Sequence, residues 1–212
     1  EALKNMSSYE PFLLKDPDRA STVWVAYMIR VRALADLLRM DEAEKTAAEL
    51  IQRKRDFPQN DSVCRTLGVR FANLAREKGE AVKDETKEQA AAREEQAAAH
   101  VKKAAHWFMK VLEVKPDQDV AAYLETARLL YTSKAYQDCI HTSGKLIERF
   151  QKSAGDNEAA REAIFSARVL TARSHAGMEK WDKALELLRE LHKERPADLA
   201  LRTDLAMALQ AR

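Results

Sequence analysis

The sequence has few of the residues that shape turns, disulfides and sheets. Among 212 residues there are five glycines, five prolines and two cysteines, and aromatic residues make up 7%. Sheets use glycine and proline in their many turns, so this scarcity argues against a sheet-rich fold. Cys64 and Cys139 lie far apart and neither has a CxxC partner. We expect free, buried thiols there, with a disulfide as the alternative.

Long apolar runs and an excess of charge are also missing. No run approaches the roughly 20 apolar residues that span a bilayer, so we expect no membrane insertion. The formal net charge is only +2, and nucleic-acid binding, which requires a clustered basic face, is not expected. The chain begins with Glu1 rather than Met, and its pattern stops midway at Arg212. We therefore expect a segment cut from a longer protein, whose compartment stays open with the cytoplasm favoured.

Groups of residues that carry chemistry are missing as well. The histidines form no i,i+4 pair and have no cysteine at zinc spacing; they are His100, His106, His141, His175 and His192. No glycine-rich phosphate loop occurs, and the carboxylates are spread evenly rather than paired. We therefore expect no enzyme activity, no cofactor and no metal site.

What is abundant is a repeated helical pattern built from good helix formers. In one frame, a small residue is followed after four, seven and twelve positions by a large apolar residue, a smaller one and a proline. Its two copies are Ala104, Phe108, Val111 and Pro116, and Ala184, Leu188, Leu191 and Pro196. Twelve positions also separate Val31 from Ala43, Ala127 from Cys139, and Ala172 from Ala184. Such fixed spacing predicts an all-α fold made of repeats.

These residues resemble the tetratricopeptide repeat, a helix-turn-helix unit of about 34 residues. Leu67-Gly68-x2-Phe71 matches the first half of its pattern, and Ala104-x3-Phe108-x7-Pro116 matches the second. Elsewhere the match is partial, since Arg55 and Gln151 replace the terminal proline. The resemblance implies a right-handed α-solenoid of antiparallel helix pairs, with about four repeats and a partial one.

The whole chain is interpreted as one such array. Its expected units are 1–20 (the end of a preceding unit), 23–58 (repeat 1), 61–118 (repeat 2), 120–153 (repeat 3), 157–198 (repeat 4) and 199–212 (the first helix of a truncated repeat). Ser21 or Thr22 is expected to cap the first clear helix, and Arg39-Met40-Asp41 to form a short turn. The second pair is expected to open at Asp61 or Ser62.

Repeat 2 contains an insertion. Gly68 and Ala104 are 36 positions apart where the other units have twelve, so 24 residues are added. One interpretation lengthens both helices equally, as a hairpin at about 75–99 that projects by about 18 Å and turns near Thr86, with Gln89 completing a capping box. The alternative ends the first helix at Lys78-Gly79.

The inserted segment is rich in alanine. Glu88-Gln89-Ala90-Ala91-Ala92 is followed, seven residues on, by Glu95-Gln96-Ala97-Ala98-Ala99. Alanine at heptad spacing permits close helix packing, here against Leu74, Lys78, Ala81 and Val82. The segment is either a solvated, salt-bridged projection or an arm for docking or homo-oligomerisation.

A loop is predicted between repeats 3 and 4. Ser153-Ala154-Gly155-Asp156-Asn157 is the strongest turn sequence in the chain. Asp156 or Asn157 is expected to cap a helix that runs from Glu158 to Ala176.

Binding residues follow from the resemblance, in which the first helices of successive pairs line a concave groove that holds extended peptides. The candidate groove residues are Met28, Arg32, Arg65, Val69, Asn73, Leu124, Arg128, Tyr131, Val169 and Arg173. Arginines along an apolar groove favour a peptide with acidic side chains or a carboxylate terminus. We therefore expect a non-catalytic scaffold that binds a partner protein or peptide. The alternative is a structural or regulatory segment of a larger enzyme or assembly, acting by intramolecular docking.

Overall fold

The computed structural model describes residues 15, 17–80, 85–115, 119–155 and 157–212, and these contain helices and no strand. The predicted all-α class is confirmed. The helices are α1 (Pro17–Asp36), α2 (Met40–Arg53), α3 (Asn60–Gly79), α4 (Lys87–Val114), α5 (Val120–Thr132), α6 (Tyr136–Phe150), α7 (Glu158–Gly177), α8 (Trp181–Glu194) and α9 (Leu199–Ala211), with a short 3₁₀ helix at Gln151–Ser153. Predictions about residues 1–14, Ala81, Val82, Asp84, Pro116 and Asp156 lie outside the described residues.

Each helix packs against the next one along the chain, and three also pack against the helix two places further on: α1 on α3, α5 on α7, and α7 on α9. We call α1, α3, α5, α7 and α9 the first helices, and α2, α4, α6 and α8 the second helices. The residues that the repeat pattern places at the helix crossings are all buried: Val31, Ala43, Gly68, Ala104, Ala127, Cys139, Ala172 and Ala184. Small side chains at these positions let paired helices approach closely.

Gly68 lies where α3 and α4 approach each other closely. A Cβ atom built on it would lie 3.1 Å from Cγ of Phe108 and under 3.0 Å from two further ring carbons. Phe108 on α4 is fully buried, and Leu67 and Phe71 on either side of Gly68 are buried as well. Gly68 is therefore a packing glycine inside a helix, as its place in the motif predicted.

Three turns between paired helices share one backbone geometry. Leu38, Lys134 and Glu179 have φ values of 57°, 62° and 60°, in the left-handed region. After Leu38, the amide of Arg39 donates to the carbonyl of Leu34, and the equivalent bonds follow Lys134 and Glu179. This is the Schellman arrangement that satisfies the last carbonyls of a helix. In each of these pairs, the turn residue lies seven positions after the buried small residue of the first helix. It lies five positions before the buried small residue of the second helix.

Several predicted boundaries are wrong by a few residues. α1 begins at Pro17, before Ser21 and Thr22, because proline at the first helical position loses no backbone hydrogen bond. The first turn occupies residues 37–39, so Met40 and Asp41 already belong to α2. α3 begins at Asn60, whose side-chain amide donates to the carbonyls of Lys54 and Arg55.

The insertion lengthens its two helices unequally. α3 ends at Gly79, as the alternative interpretation of the insertion predicts. It therefore continues for eleven positions after Gly68, whereas the first helices of the other complete pairs continue for five positions after their small residue. α4 begins 17 positions before Ala104, where the other second helices begin three before theirs. Thr86 accepts a hydrogen bond from the Gln89 amide and donates its own amide to the Gln89 side chain, so the predicted capping box is confirmed.

Ala90 and Ala97 of the alanine-rich segment are half-buried and lie seven positions apart, the spacing that the predicted seam requires, whereas Ala91, Ala92, Ala98 and Ala99 are exposed. A polar contact lies on the same side of α4: Arg93 binds the Glu85 carboxylate at 3.0 Å and donates to the carbonyl of Lys78 at 3.1 Å. Arg93 therefore holds both the end of α3 and the connection that follows it.

Two further predictions are confirmed. Asn157 caps α7 by accepting a hydrogen bond from the amide of Ala160, and that helix runs from Glu158 to Gly177. Cys64 and Cys139 are buried free thiols, and burial raises the pKa of Cys64 to about 12.

Candidate peptide-binding groove

The predicted groove residues lie on four first helices, and the structure gathers six of them into two clefts. The N-terminal groove, of about 400 Å³, is lined by α1 and α3 and contains Arg65, Val69 and Asn73. The C-terminal groove, of about 240 Å³, is lined by α5, α7, the start of α9 and the connection before it, and contains Arg128, Val169 and Arg173. The other candidates, Met28, Arg32, Leu124 and Tyr131, line neither cleft.

Most of those outside the clefts serve packing. Met28 and Leu124 are half-buried and pack against the main apolar core, as does Tyr131. The Tyr131 ring also lies 5.8 Å from that of Tyr136 at the turn into α6. Helical register alone placed these side chains on the groove face, but in the structure they are half-buried against the apolar core.

Arginines in and beside the N-terminal groove are engaged with the protein itself. Arg65 on α3 pairs with Glu125 on α5 at 2.5 Å, which joins neighbouring first helices. Arg70 pairs with Asp36 on α1, also at 2.5 Å, and Arg32 donates to the hydroxyl of Ser62 at 3.0 Å. The charges of Arg65 and Arg70 are therefore paired within the chain, and Val69 is the exposed apolar residue of this groove.

One wall of the C-terminal groove is fixed by Arg195. Two of its guanidinium nitrogens donate to the two carboxylate oxygens of Glu162, and its guanidinium lies 3.7 Å from the ring centre of Phe165. The hydrogen bond from Arg195 lowers the pKa of the Glu162 carboxyl. Sequence reasoning missed these residues because Arg195 lies in the connection between α8 and α9. Helical register cannot predict which way a side chain outside a helix points.

Arg173 is held on the opposite side by an ion pair. Its Nε lies 2.7 Å from the carboxylate of Asp204 on α9, and the Asp204 side chain is only 14% exposed. This pair joins α7 to α9 and leaves Arg173 without a free charge. Arg173 lines the C-terminal groove, but its charge is neutralised by a helix further along the chain.

Arg128 differs from the other candidate arginines. It is exposed on α5 at the edge of the C-terminal groove, and within the described residues no ion pair or hydrogen bond involves its side chain. Ser166, with its hydroxyl, and the apolar residues Val169 and Leu201 line the same cleft. A planar guanidinium beside a hydroxyl and an apolar surface suits a carboxylate attached to an apolar residue.

The histidines form no recognisable site. In the part of the chain that the structure describes, no three residues among His, Cys, Asp and Glu are grouped so as to hold a metal ion. Desolvation lowers the pKa of His100 and of His175, and His100 stacks on Phe71 with ring centres 5.9 Å apart. Among the described helices, none is long and apolar enough to cross a membrane.

Comparisons with models of protein families, with curated proteins and with solved structures found no match to this chain.

Proposed function

We propose that the chain is a right-handed, tetratricopeptide-like α-solenoid of about four repeats and a partial fifth, and that it is a non-catalytic protein-binding scaffold. The recurrence of one turn geometry supports the repeats. Leu38, Lys134 and Glu179 occupy the same place between buried small residues in three pairs. In the second pair the insertion replaces this turn. Stacked pairs of this kind present their first helices along one continuous surface.

The C-terminal groove is proposed as the binding site for an extended peptide of the partner. The observation that carries this proposal is Arg128, an unpaired guanidinium among the described residues, beside the half-buried apolar side chain of Val169. A carboxylate of the peptide binds Arg128 while the adjacent apolar side chain packs in the cleft. The proposed ligand therefore alternates apolar and acidic residues or ends in a carboxylate.

Fluorescence anisotropy tests this proposal with a fluorescein-labelled (Asp-Leu)₄ peptide that has a free C-terminus. We expect Arg128→Glu to weaken binding about tenfold or more, because a close charge pair contributes roughly 1.5 kcal/mol or more. A (Lys-Leu)₄ peptide is expected to show the reverse preference.

Arg189→Glu is the matched control, because Arg189 is an exposed arginine of α8 outside both grooves. It should leave the affinity unchanged. Arg173 is not a suitable target, since its loss would leave the half-buried Asp204 unpaired. Equal affinity of the wild type and Arg128→Glu, or no saturable binding of (Asp-Leu)₄, would refute the groove. Sedimentation of the same samples tests homo-oligomerisation through α4.

A further inference from the structure

A cleft of about 770 Å³, larger than either groove, lies between α2 and α4. Both are second helices, so this second-helix cleft shares no residue with the proposed peptide groove. Its lining comes from Glu44 to Gln52 on α2, from Arg55 just after it, and from His106 to Val114 on α4. Helical register had not predicted any binding surface here.

The two walls are joined at one end. Glu44 accepts hydrogen bonds from Trp107 Nε1 at 2.8 Å and from Lys103 Nζ at 2.6 Å. Towards their C-terminal ends, at Arg55 and Val114, the helices line the cleft without such a bridge. Because Glu44 is early on α2 and contacts the earlier part of the α4 wall, the two helices run in the same direction along the cleft.

Between the charged and polar side chains of these walls lies a narrow apolar strip. Trp107 is only 4% exposed, Ile51 and Val114 are half-buried, and Ala48 is an exposed small residue that leaves room above them. Two roughly parallel helical walls around an apolar strip form the kind of groove in which a third helix lies with its apolar face inward.

Charge in the cleft is unbalanced. Lys110 pairs with Glu113 at 2.8 Å, and Glu44 is occupied by Lys103. Lys45 and Arg55 remain, both exposed, and their side chains have no ion-pair or hydrogen-bond partner among the described residues. Lys45 lies near the start of the α2 wall, and Arg55 lies two residues past the end of α2.

We propose that the second-helix cleft binds an amphipathic helix of a partner protein. This helix has about three turns, its apolar residues contact Ala48, Ile51 and Val114, and it carries a carboxylate at each end. The carboxylates are about ten residues apart, so that one reaches Lys45 and the other Arg55. The proposal does not depend on the peptide groove, because no residue is shared.

A designed helical peptide tests it. The probe is fluorescein-labelled and thirteen residues long, with Glu in the first and eleventh positions, Leu in the fourth, fifth and eighth, and Ala or Gln elsewhere. These five residues lie on one helical face. We expect saturable binding to the wild type and at least tenfold weaker binding to the double variant Lys45→Glu, Arg55→Glu. A probe with Lys in place of both Glu residues should bind that variant better than the wild type.

The control variant is Lys183→Glu, Arg189→Glu, which makes the same charge change at exposed positions of α8 and should bind like the wild type. Circular dichroism checks that both variants are folded. Unchanged affinity of the Lys45→Glu, Arg55→Glu variant would overturn the proposal. So would equal binding of a probe with a central proline, which indicates an extended ligand. Dimerisation of the wild type that this variant abolishes would assign the cleft to a second copy and also overturn it.

Discussion

The substitution Gly68→Ala probes the close crossing of α3 and α4. The new Cβ would lie 3.1 Å or less from three ring carbons of Phe108, whereas carbon atoms pack comfortably at about 3.5–4.0 Å. Phe108 is fully buried and Leu67 and Phe71 flank the contact, so the ring has no open space to enter. α3 and α4 must therefore separate locally.

Two opposing effects set the magnitude of this change. Replacing glycine with alanine inside a helix contributes about 1 kcal/mol of stability. Forcing a methyl group into a packed core costs about 1–3 kcal/mol, with the upper part of that range applying to a rigid ring. We expect Gly68→Ala to lower the free energy of unfolding by about 1–2 kcal/mol.

Gly144→Ala is the matched control. Gly144 also lies inside a helix, α6, but nothing lies within 4 Å of its added Cβ. Urea unfolding should show Gly144→Ala stabilised by about 0.5–1 kcal/mol, so that the two alanine variants differ by about 2 kcal/mol. In a double-mutant cycle, Phe108→Leu should be less destabilising in the Gly68→Ala background than in the wild type. If Gly68→Ala is stabilised as much as Gly144→Ala, the proposed crossing of α3 and α4 is refuted.

Three further predictions concern a turn, a cap and a buried thiol. Glu179→Gly should raise the free energy of unfolding by about 0.5–1 kcal/mol in urea titrations. The reason is that Glu179 has a φ of 60°, a region that glycine adopts without strain. A lower free energy of unfolding would contradict this prediction. Thr86→Ala removes the side-chain acceptor of the Gln89 amide and should cost about 1 kcal/mol, visible as faster hydrogen exchange there, while unchanged exchange would argue against the cap. Above about pH 8.5 the unfolded chain loses the Cys64 proton, but the folded protein keeps it until about pH 12. Stability should therefore fall as pH rises, by at most about 1.4 kcal/mol per pH unit, and Cys64→Ala should remove that part of the slope.

The helix crossings could be predicted from the sequence because they depend on residue size at fixed spacing. Gly68, Ala104 and Ala184 carry that information locally, and all are buried. The caps at Thr86 and Asn157 were also predictable, since a capping side chain acts on an amide only three residues away.

Turn boundaries were less predictable because the residues that form them carry no turn signal. Leu38 and Lys134 adopt a left-handed conformation that glycine favours. Their conformation is imposed by the packing of the two helices they join, and this shifted the first predicted turn by about two residues.

The ion pairing of the groove arginines could not be predicted, because the carboxylates that pair with them come from distant parts of the chain. Arg65 and Arg173 line the two clefts, but Glu125 and Asp204 neutralise them from other helices. The second-helix cleft was missed for a related reason, since its apolar surface forms only when α2 and α4 lie side by side.

The most direct test of the proposed groove is a map of backbone amide shifts in NMR spectra during titration with (Asp-Leu)₄. The proposal predicts that the largest changes cluster at Arg128, Ser166 and Val169, and that Arg128→Glu abolishes them. Changes confined to the second helices α2, α6 and α8, or no changes at saturating peptide, would contradict it.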